Sequence, residues 1–378
     1  MKLDAQKRKI VFLTGTRADF GKIKSLLIKL DDTDDFDIFV FVTGMHMLSR
    51  YGSTWEEVRA LGVGRIYTFI NQNDGDSMES AFAKTVSGFS DYVHEIKPDL
   101  VVVHGDRLET LAGATVGALA GVLVAHIEGG EVSGTVDELI RHAVTKLSHI
   151  HFVANESAAN RVIQLGEKPN LVHVIGSPDI DVMNSDQLPS LDSVREHYGI
   201  TFERFAIVIL HPVTTELADL NSDVKNLIAF LIRSELNYVV IYPNNDPGSS
   251  IIIDAYEELG ISPHFKIFPS MRFEYFLSLL RNAEFIIGNS SSGVREAPHF
   301  GVPAINLGSR QFRRATSDLV INTDFQMKNI VSAAKIASET VRVSESNFGD
   351  GHSAQKFVNV VNDPSFWQTP IQKSFIDL

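Results

Sequence analysis

Residues 9–30 read KIVFLTGTRADFGKIKSLLIKL, and this stretch decides the fold. Its first eight residues, KIVFLTGT, form a short apolar run that ends in Thr and Gly, which is typical of a buried strand. The residues that follow predict a helix, because apolar side chains recur at i, i+3, i+4 and i+7. These side chains are Ile23, Leu26, Leu27 and Leu30. A strand followed directly by an amphipathic helix is the unit of a parallel sheet that helices cover on both faces.

The same alternation continues along the chain in two series. In the first half, strand candidates after residues 9–16 are DIFVFVTG (37–44), LVVVHGD (100–106), VLVAHIE (122–128), IHFVAN (150–155) and LVHVIGSP (171–178). A polar stretch, NSDQLPSLDS (184–193), then interrupts the pattern. The second series is FAIVILHP (205–212), YVVIYPN (238–244), FKIFPS (265–270), EFIIGNS (284–290) and AINLG (304–308). We therefore predict an α/β protein with two doubly wound, Rossmann-like domains, and we place the boundary between them at 180–190.

Composition limits the class of protein. With 378 residues and 44% hydrophobic content, the chain can bury a large core and form two domains. A net charge of −13 and a pI near 5.4 argue against nucleic acid as a partner. The absence of cysteine excludes disulfides, thiolate metal sites and a thiol nucleophile, and it fits a reducing cytoplasm, where we expect the protein.

Two segments bear on membrane insertion. Only four apolar residues, 10–13, follow the basic start of the chain, which is too short for the core of a signal peptide. The uncharged stretch 110–127 approaches the length of a membrane span, but small residues and Gly121 divide it. We interpret this stretch as a buried helix followed by a buried strand, and we expect no membrane partner.

Ligands of doubly wound sheets bind beyond the carboxyl ends of the strands, so two such domains facing each other would form a cleft lined by strand-to-helix loops. Five of these loops are rich in polar residues: TGTRADFG (14–21), HGDRLET (104–110), HIEGGEVSGTVDELIRH (126–142), HPVTTE (211–216) and GNSSSGVRE (288–296). None contains GxGxxG or GxxxxGK[ST], so dinucleotide and P-loop sites lose their main support.

The loop NSSSG before VREAPHFG predicts an anion site. Backbone N–H groups and the positive end of a helix bind phosphate, and this loop adds hydroxyl groups. If a nucleoside diphosphate binds there, Ser290 and Ser291 hold its phosphates, and Glu296, on the first turn of the next helix, accepts hydrogen bonds from the ribose hydroxyls. The alternative is a cluster of helix-capping residues without a ligand.

Three carboxylates follow strands or a glycine-rich loop in the first half of the chain. Asp106 and Glu128 end neighbouring strands, and Asp137 follows the loop after Glu128. If the three converge, each changes the pKa of the others, as catalytic acids and bases require. An isolated Asp or Glu at a strand end is more often a capping residue, and three in consecutive loops make that alternative less favoured without removing it.

Histidines lie in or beside several predicted strands. Such residues are commonly core histidines with hydrogen-bond partners. His104 and His126, together with Asp106 and Glu128, also suggest a metal site. However, residues two apart on a strand point to the same face, so polar residues at the ends of any two strands would be arranged in this way. We expect no metal.

Five ordered motifs carry a resemblance over nearly the whole chain. They are TGTRADFGKIKSLL (14–27), VVHGDRLETLA (102–112), HIEGGEVSGTVDELIRHAVTKLSH (126–149), HPVTTE (211–216), and IIGNSSSGVREA (286–297) with GVPAINLGSRQ (301–311). With these motifs the sequence resembles the UDP-N-acetylglucosamine 2-epimerase family, in its hydrolysing, sialic-acid-pathway type. The non-hydrolysing branch usually reads GTRPE in the first loop, where this chain has Ala18 and Asp19.

The resemblance implies a glycosyltransferase-B-like arrangement. Its domains would be 1–182, on the sugar and acid-base side, and 183–362, on the UDP side, with a segment 363–378 that returns to the first domain. It also implies a homo-oligomer, a dimer or a tetramer. The implied reaction converts UDP-N-acetylglucosamine and water to N-acetylmannosamine and UDP, without a cofactor.

Residue roles follow from the same resemblance. Asp106, Glu128 and Asp137 would do the acid-base work, and His211 would contact the diphosphate or the leaving oxygen. Donors to the departing diphosphate would be Arg17, Arg107 and Arg310, together with the serine loop. The backbone of Met271 would contact the base.

Alternatives stay open at this point. The substrate of a hydrolysing enzyme could be a 2,4-diacetamido-6-deoxy sugar nucleotide, or the enzyme could be a non-hydrolysing epimerase. From another class, the chain could be a nucleotide-sugar-binding protein without turnover, although such a protein has no use for three clustered carboxylates.

Overall fold

The computed structural model of the chain describes residues 7–73, 75–133, 135–260, 262–311, 314, 317–374 and 376. These residues divide into two compact units. Unit 1 holds the described residues within 1–131, 137–184 and 348–378, and unit 2 holds those within 132–136 and 185–347. The domain limits given above remain a prediction.

Unit 1 is a parallel α/β layer structure built on a seven-stranded sheet. In chain order its elements are β1 (Arg8–Thr14), α1 (Arg17–Asp31), β2 (Phe36–Val42), α2 (Trp55–Ala60), β3 (Arg65–Thr68), α3 (Met78–Ile96), β4 (Leu100–His104), α4 (Leu108–Leu119), β5 (Leu123–Ile127), α5 (Val136–Leu147), β6 (Ile150–Val153), α6 (Glu156–Gln164), β7 (Val172–Val174) and α7 (Pro178–Met183). The strand order is β3-β2-β1-β4-β5-β6-β7, and every pair is parallel.

Unit 2 repeats the plan with six parallel strands. Its elements are α8 (Leu191–Tyr198), β8 (Ala206–Ile209), α9 (Leu220–Arg233), β9 (Tyr238–Ile241), α10 (Ser249–Leu259), β10 (Phe265–Phe268), α11 (Phe273–Asn282), β11 (Ile286–Gly288), α12 (Glu296–His299), β12 (Ala304–Leu307), β13 (Val320–Thr323) and α13 (Met327–Glu339). The strand order is β10-β9-β8-β11-β12-β13. The predicted fold class of two doubly wound sheets is confirmed.

The last helix, α14 (Ser353–Asn362), belongs to unit 1. Its Phe357 is fully buried, with its ring centroid 6.3 Å from that of Phe12 in β1 and 4.7 Å from that of Phe152 in β6. The sequence analysis placed this helix in the second domain, whereas the chain is already back in unit 1 at Phe348. The sequence of an amphipathic helix shows which face is buried but not which sheet that face packs on. For this reason the sequence did not indicate that α14 belongs to unit 1.

The uncharged stretch 110–127 is a helix followed by a strand, as predicted: it covers most of α4 and the whole of β5. None of the helices in the described part of the chain is both long enough and apolar enough to cross a membrane.

Candidate active site

In unit 1, the strands that precede Asp106 and Glu128 are hydrogen-bonded neighbours. β4 and β5 pair in register, with His104 opposite Ile127. Asp106 lies two residues beyond the end of β4, and Glu128 is the first residue after β5. The predicted adjacency is therefore confirmed, and both carboxylates lie at the carboxyl edge of the sheet, where doubly wound folds bind ligands.

Asp106 is held by a buried arginine that the sequence analysis did not single out. The Arg141 guanidinium is 1% exposed; Nη2 donates to Asp106 Oδ2, and Nη1 donates to the carbonyl oxygen of Glu131 at 3.3 Å. Arg141 lies one turn after Asp137 in α5, so both project from the same side of this helix. Arg141 thus connects Asp106 to the helix that carries the third predicted acid in its first turn.

Glu128 has the most specialised environment of the three acids. Its φ is +65°, a left-handed conformation that side chains other than glycine rarely adopt. Ser177 Oγ donates to its Oε1 at 2.6 Å, Lys22 Nζ lies 3.5 Å from the same oxygen, and His104 Nε2 lies 3.6 Å from Oε2. The residue is 5% exposed. Backbone strain that the surroundings maintain is found mainly at functional sites.

The other strand histidines are core residues. His126 Nε2 lies 2.8 Å from the carbonyl oxygen of Gly105 and Nδ1 lies 3.2 Å from Thr145 Oγ1, and burial lowers its pKa to about 3. His151 Nε2 lies 3.1 Å from Glu167 Oε2. Within the described residues, no group of three or more His, Asp or Glu side chains is arranged to hold a metal ion.

In unit 2, Asn289 links the loops after β8 and β11. Its Oδ1 accepts from the backbone N–H of His211 at 2.7 Å, and its Nδ2 donates to the carbonyl oxygen of His211 at 2.8 Å. The Nδ1 atom of His211 accepts from the N–H of Asn244 at 3.0 Å, which places the proton of the neutral ring on Nε2. The imidazole is thereby fixed as an Nε2–H donor. Sequence reasoning missed Asn289 because a single amide at a strand end carries no distinctive pattern.

The serine loop after β11 differs from the predicted helix start. Ser291–Gly293 form one 3₁₀ turn, and Ser290 caps it by accepting from the N–H of Ser292 at 3.3 Å. Only then does α12 begin, with Glu296 as its first residue, 1% exposed. Glu296 is thus on the first turn of the helix, as predicted, but Ser290 caps a 3₁₀ turn and Ser291 begins it, so neither serine directly precedes the helix. The serines supply hydroxyl and backbone donors rather than a strong helix dipole.

The three predicted arginines are all anchored. Arg17 forms a two-point ion pair with Glu57, with Nε 2.9 Å from Oε2. Arg310 Nη1 donates to the carbonyl oxygen of Asn289 at 3.2 Å, which places it beside the serine loop.

Arg107 immediately precedes α4, with Nε 3.9 Å from Oε2 of the buried Glu109. Burial raises the pKa of the Glu109 carboxyl.

Met271 is 5% exposed and lies between β10 and α11 in unit 2. The next backbone N–H, that of Arg272, donates to the hydroxyl of Tyr198 at 3.0 Å and fixes the loop. The predicted residues therefore fall into two groups. Unit 1 holds Arg17, Asp106, Arg107, Glu128 and Asp137, and unit 2 holds His211, Met271, Ser290, Ser291, Glu296 and Arg310.

Comparison with known proteins defines the class. The family model described as UDP-N-acetylglucosamine 2-epimerase matches residues 28–362. The chain is 47% identical to the UDP-N-acetylglucosamine 2-epimerase of Neisseria meningitidis serogroup B, over 98% of this chain and 99% of that relative. It is 34% identical to the UDP-N,N'-diacetylbacillosamine 2-epimerase (hydrolyzing) of Legionella pneumophila, over 92% and 94% of the two chains.

Among solved structures, the fold matches that of the Methanocaldococcus jannaschii UDP-GlcNAc 2-epimerase in complex with UDP-GlcNAc and UDP. The TM-score is 0.80, with 21% identity over 93% of this chain and 99% of that one. The chain belongs to the UDP-N-acetylglucosamine 2-epimerase family.

Proposed function

We propose that this protein is a hydrolysing epimerase that converts UDP-N-acetylglucosamine and water to N-acetylmannosamine and UDP. Support comes from the 47% identity to the meningococcal epimerase and from the 34% identity to a relative whose name specifies hydrolysis. Ala18 and Asp19 in the first loop agree with this branch. Asp19 closes a capping box with Thr16 at the start of α1, which explains an acidic residue at this position.

The chemistry requires a base and a stabilised leaving group. The C2–H of the sugar is a weak acid, so its proton is removed as the C1–O bond breaks. The electron pair of the C1–O bond leaves with UDP, and the electron pair of the C2–H bond forms a double bond between C1 and C2. The product of this step is an unsaturated sugar with a C1=C2 double bond. Water then adds its hydroxyl to C1, and a proton is delivered to C2 on the opposite face. The net result of the two steps is inversion of the configuration at C2 and release of UDP.

Glu128 carries the acid-base part of this proposal. A nearly buried carboxylate in a left-handed backbone conformation, in contact with a lysine, a serine hydroxyl and a histidine, is held in one orientation. Such preorganisation suits proton transfer at a fixed carbon atom. Asp106, which is ion-paired with the buried Arg141, and Asp137 in α5 are the other two acids we assign to this chemistry.

Unit 2 would bind the nucleotide. We assign the phosphates to Ser290, Ser291 and Arg310, the ribose hydroxyls to Glu296, and the edge of the uracil base to the backbone of Met271. The Nε2–H of His211 would donate to the diphosphate, and Arg17 and Arg107 in unit 1 would add positive charge. Charged donors stabilise a departing diphosphate where water is scarce, so no cofactor or metal is needed.

A second candidate substrate is a UDP-2,4-diacetamido-6-deoxy sugar. The relatives from Legionella pneumophila and Campylobacter jejuni, 34% and 29% identical, are named for diacetylbacillosamine nucleotides. A non-hydrolysing epimerase and a binding protein without turnover are the other two alternatives. The meningococcal relative, at 47%, favours the N-acetylglucosamine substrate.

The test is a proton NMR time course in buffered D2O with each sugar nucleotide in turn. We expect UDP-N-acetylglucosamine to give UDP and N-acetylmannosamine that carries deuterium at C2, because the proton returned to C2 comes from solvent. An intact UDP-N-acetylmannosamine would indicate a non-hydrolysing enzyme. Absence of both free UDP and epimerised nucleotide sugar, with each substrate, would indicate a binding protein.

Replacement of Glu128 by Gln tests the assigned base. We expect UDP release to fall by about 10²-fold or more, because general acid-base catalysis contributes at least that much, while the Kd for UDP measured by calorimetry stays nearly unchanged. The matched control is Glu339→Gln, on the exposed face of α13, which should keep normal turnover. If turnover of Glu128→Gln stays within a few-fold of wild type, Glu128 is not part of the chemistry.

A further inference from the structure

Glu128 is one end of a buried charged cluster in unit 1 that includes a carboxylate with no assigned role. Lys22 Nζ, on α1, lies 3.5 Å from Glu128 Oε1 and also 3.5 Å from Asp179 Oδ2, on α7. Lys22 is 8% exposed, Glu128 5% and Asp179 0%. One ammonium group is therefore shared equally by two carboxylates, only one of which the proposed reaction uses.

The segment that carries Asp179 also supplies the hydrogen bond to Glu128. Ser177 precedes α7 and donates from Oγ to Glu128 Oε1 at 2.6 Å. Its own N–H donates to the carbonyl oxygen of Phe348 at 2.6 Å. Asp181, further along α7, accepts from the N–H groups of Ser353 and Ala354 at 2.8 and 2.7 Å.

Two glycines allow this close approach. Gly176 has φ +86°, and a Cβ on Gly349 would lie 2.8 Å from the Cα of Gly176, so neither position accepts a side chain without displacement. The segment is thus fixed to the returning chain and holds Ser177 and Asp179 in place.

We propose that Ser177 and Asp179 are positioning residues that set the basicity of Glu128 in opposite directions. This inference rests on the proposed role of Glu128 in proton transfer. A hydrogen bond donated to a carboxylate favours its charged form, so Ser177 makes Glu128 a weaker base. Asp179 does the reverse, because it adds a like charge and draws part of the Lys22 interaction away from Glu128.

Charged or titratable groups face Glu128 from several elements of unit 1. Lys22 approaches from α1, His104 from β4 and Asp179 from α7. His126, on β5, interacts with Glu128 electrostatically but stays neutral above pH 4, since burial lowers its pKa to about 3. Lys22 and Asp179 each lie in the same buried cluster as Glu128, so a change in the charge of either should be measurable at Glu128.

Two conservative substitutions give predictions of opposite sign. Ser177→Ala removes the donor and should move the acidic limb of the pH profile of kcat/KM to higher pH by about one unit. Asp179→Asn keeps the shape, removes the like charge that competes with Glu128 for Lys22, and should move this limb to lower pH by a similar amount. In both variants we expect the Kd for UDP to stay within twofold of wild type, since neither residue is assigned to the nucleotide.

A measurement without turnover separates this inference from the proposed function. Full-length protein labelled with [δ-13C]glutamate is titrated by NMR, and the Glu128→Gln variant identifies the Glu128 signal. We expect the pH midpoint of the Glu128 titration to be lowest in Asp179→Asn, intermediate in wild type and highest in Ser177→Ala. The exposed control Asp186→Asn should have the wild-type midpoint. Any other order overturns the inference. If the order holds but Glu128→Gln is fully active, the inference stands and the catalytic role of Glu128 fails.

Should Asp179→Asn fail to fold, Ser177→Ala still decides half of the proposal. A signal that does not move to higher pH in Ser177→Ala refutes the role of Ser177. Ser177→Thr serves as the rescue variant, because it keeps the hydroxyl donor and should restore the wild-type midpoint. A purely structural role of the segment would affect stability in all three variants without ordering their midpoints.

Discussion

At the residue scale, Glu296 combines a position at the start of a helix with almost complete burial of its carboxylate. It is the first residue of α12, and its side chain is held inside unit 2, 1% exposed. A buried carboxylate of this kind loses little further conformational entropy when it accepts hydrogen bonds from a diol. This preorganisation supports its assignment to the ribose hydroxyls.

Replacement of Glu296 by Ala should therefore weaken UDP binding by about tenfold or more, because a hydrogen bond to a charged group is worth about 1.5–3 kcal/mol. Calorimetric titration of UDP into the variant measures this change. Glu339→Ala, a substitution of the same kind on the solvent side of α13, is the matched control. Unchanged affinity in Glu296→Ala would remove this residue from the nucleotide site.

Sequence reasoning identified the candidate acids Asp106 and Glu128 but not the partners that hold them. Asp106 and Glu128 stand out because polar residues follow buried strands, and strand ends can be located from the apolar pattern. Arg141 and Lys22 do not stand out, since a basic residue in an amphipathic helix is indistinguishable from a surface charge until the packing is known. Ser177 lies 49 residues from Glu128, and no local pattern predicts a contact over that separation.

At the element scale, α5 is fixed at its far end by the C-terminal segment. Lys373 Nζ donates to the carbonyl oxygen of Lys146 at 2.9 Å, to that of Ser148, and to Glu167 Oε2 at 2.7 Å. A cation at the last carbonyls of a helix is favourable, and Glu167 is a buried acid whose charge needs partners. The same helix carries Asp137 and Arg141 near its start.

We expect Lys373→Met to lower the free energy of unfolding by about 2 kcal/mol, in the range for losing a partner of a partly buried ion pair and a helix-end cation. Urea unfolding monitored by circular dichroism measures the difference. Lys335→Met, on a side chain that is 75% exposed, should cost less than about 0.5 kcal/mol. Equal losses in the two variants would contradict the role of Lys373.

The pattern failed to predict two of the four edge strands, β3 and β13, although it predicted the other two, β7 and β10. β3 and β13 lie at the edges of their sheets, and β3 is largely exposed. Its sequence, RIYT, lacks the continuous apolar run of a strand that is covered on both faces. The central strands have that run, and for this reason their existence and order along the chain could be predicted.

At the scale of the whole molecule, buried neutral histidines predict sensitivity to mild acid. Burial lowers the pKa of His46 to about 4 and that of His126 to about 3. In the unfolded chain both would titrate near 6.5, so below that pH the unfolded state binds protons that the folded state does not, and stability falls. The loss at pH 5 relative to pH 8 should be about 2 kcal/mol for each histidine.

Urea unfolding at pH 8 and pH 5 tests this expectation. Glu167 does not contribute between pH 8 and 5. Burial alone would raise its pKa, but hydrogen bonds from His151, Lys146 and Lys373 outweigh burial and lower the pKa to about 2. The stabilisation from Glu167 is therefore lost only as the pH falls from about 4.5 toward 2. His46→Gln should reduce the loss between pH 8 and 5 by about 2 kcal/mol, and the exposed His94→Gln should leave it unchanged. A loss of equal size in His46→Gln and wild type would count against this origin.

The return of α14 to unit 1 has a consequence for how the protein is made. A ribosome completes all of residues 185–347 before it reaches Phe357, which fills the gap between Phe12 and Phe152. Unit 2 can thus be finished during synthesis, whereas unit 1 waits for the segment that begins at Phe348, with part of its interior open to water. Premature stop codons late in the gene would consequently damage the half that begins the chain.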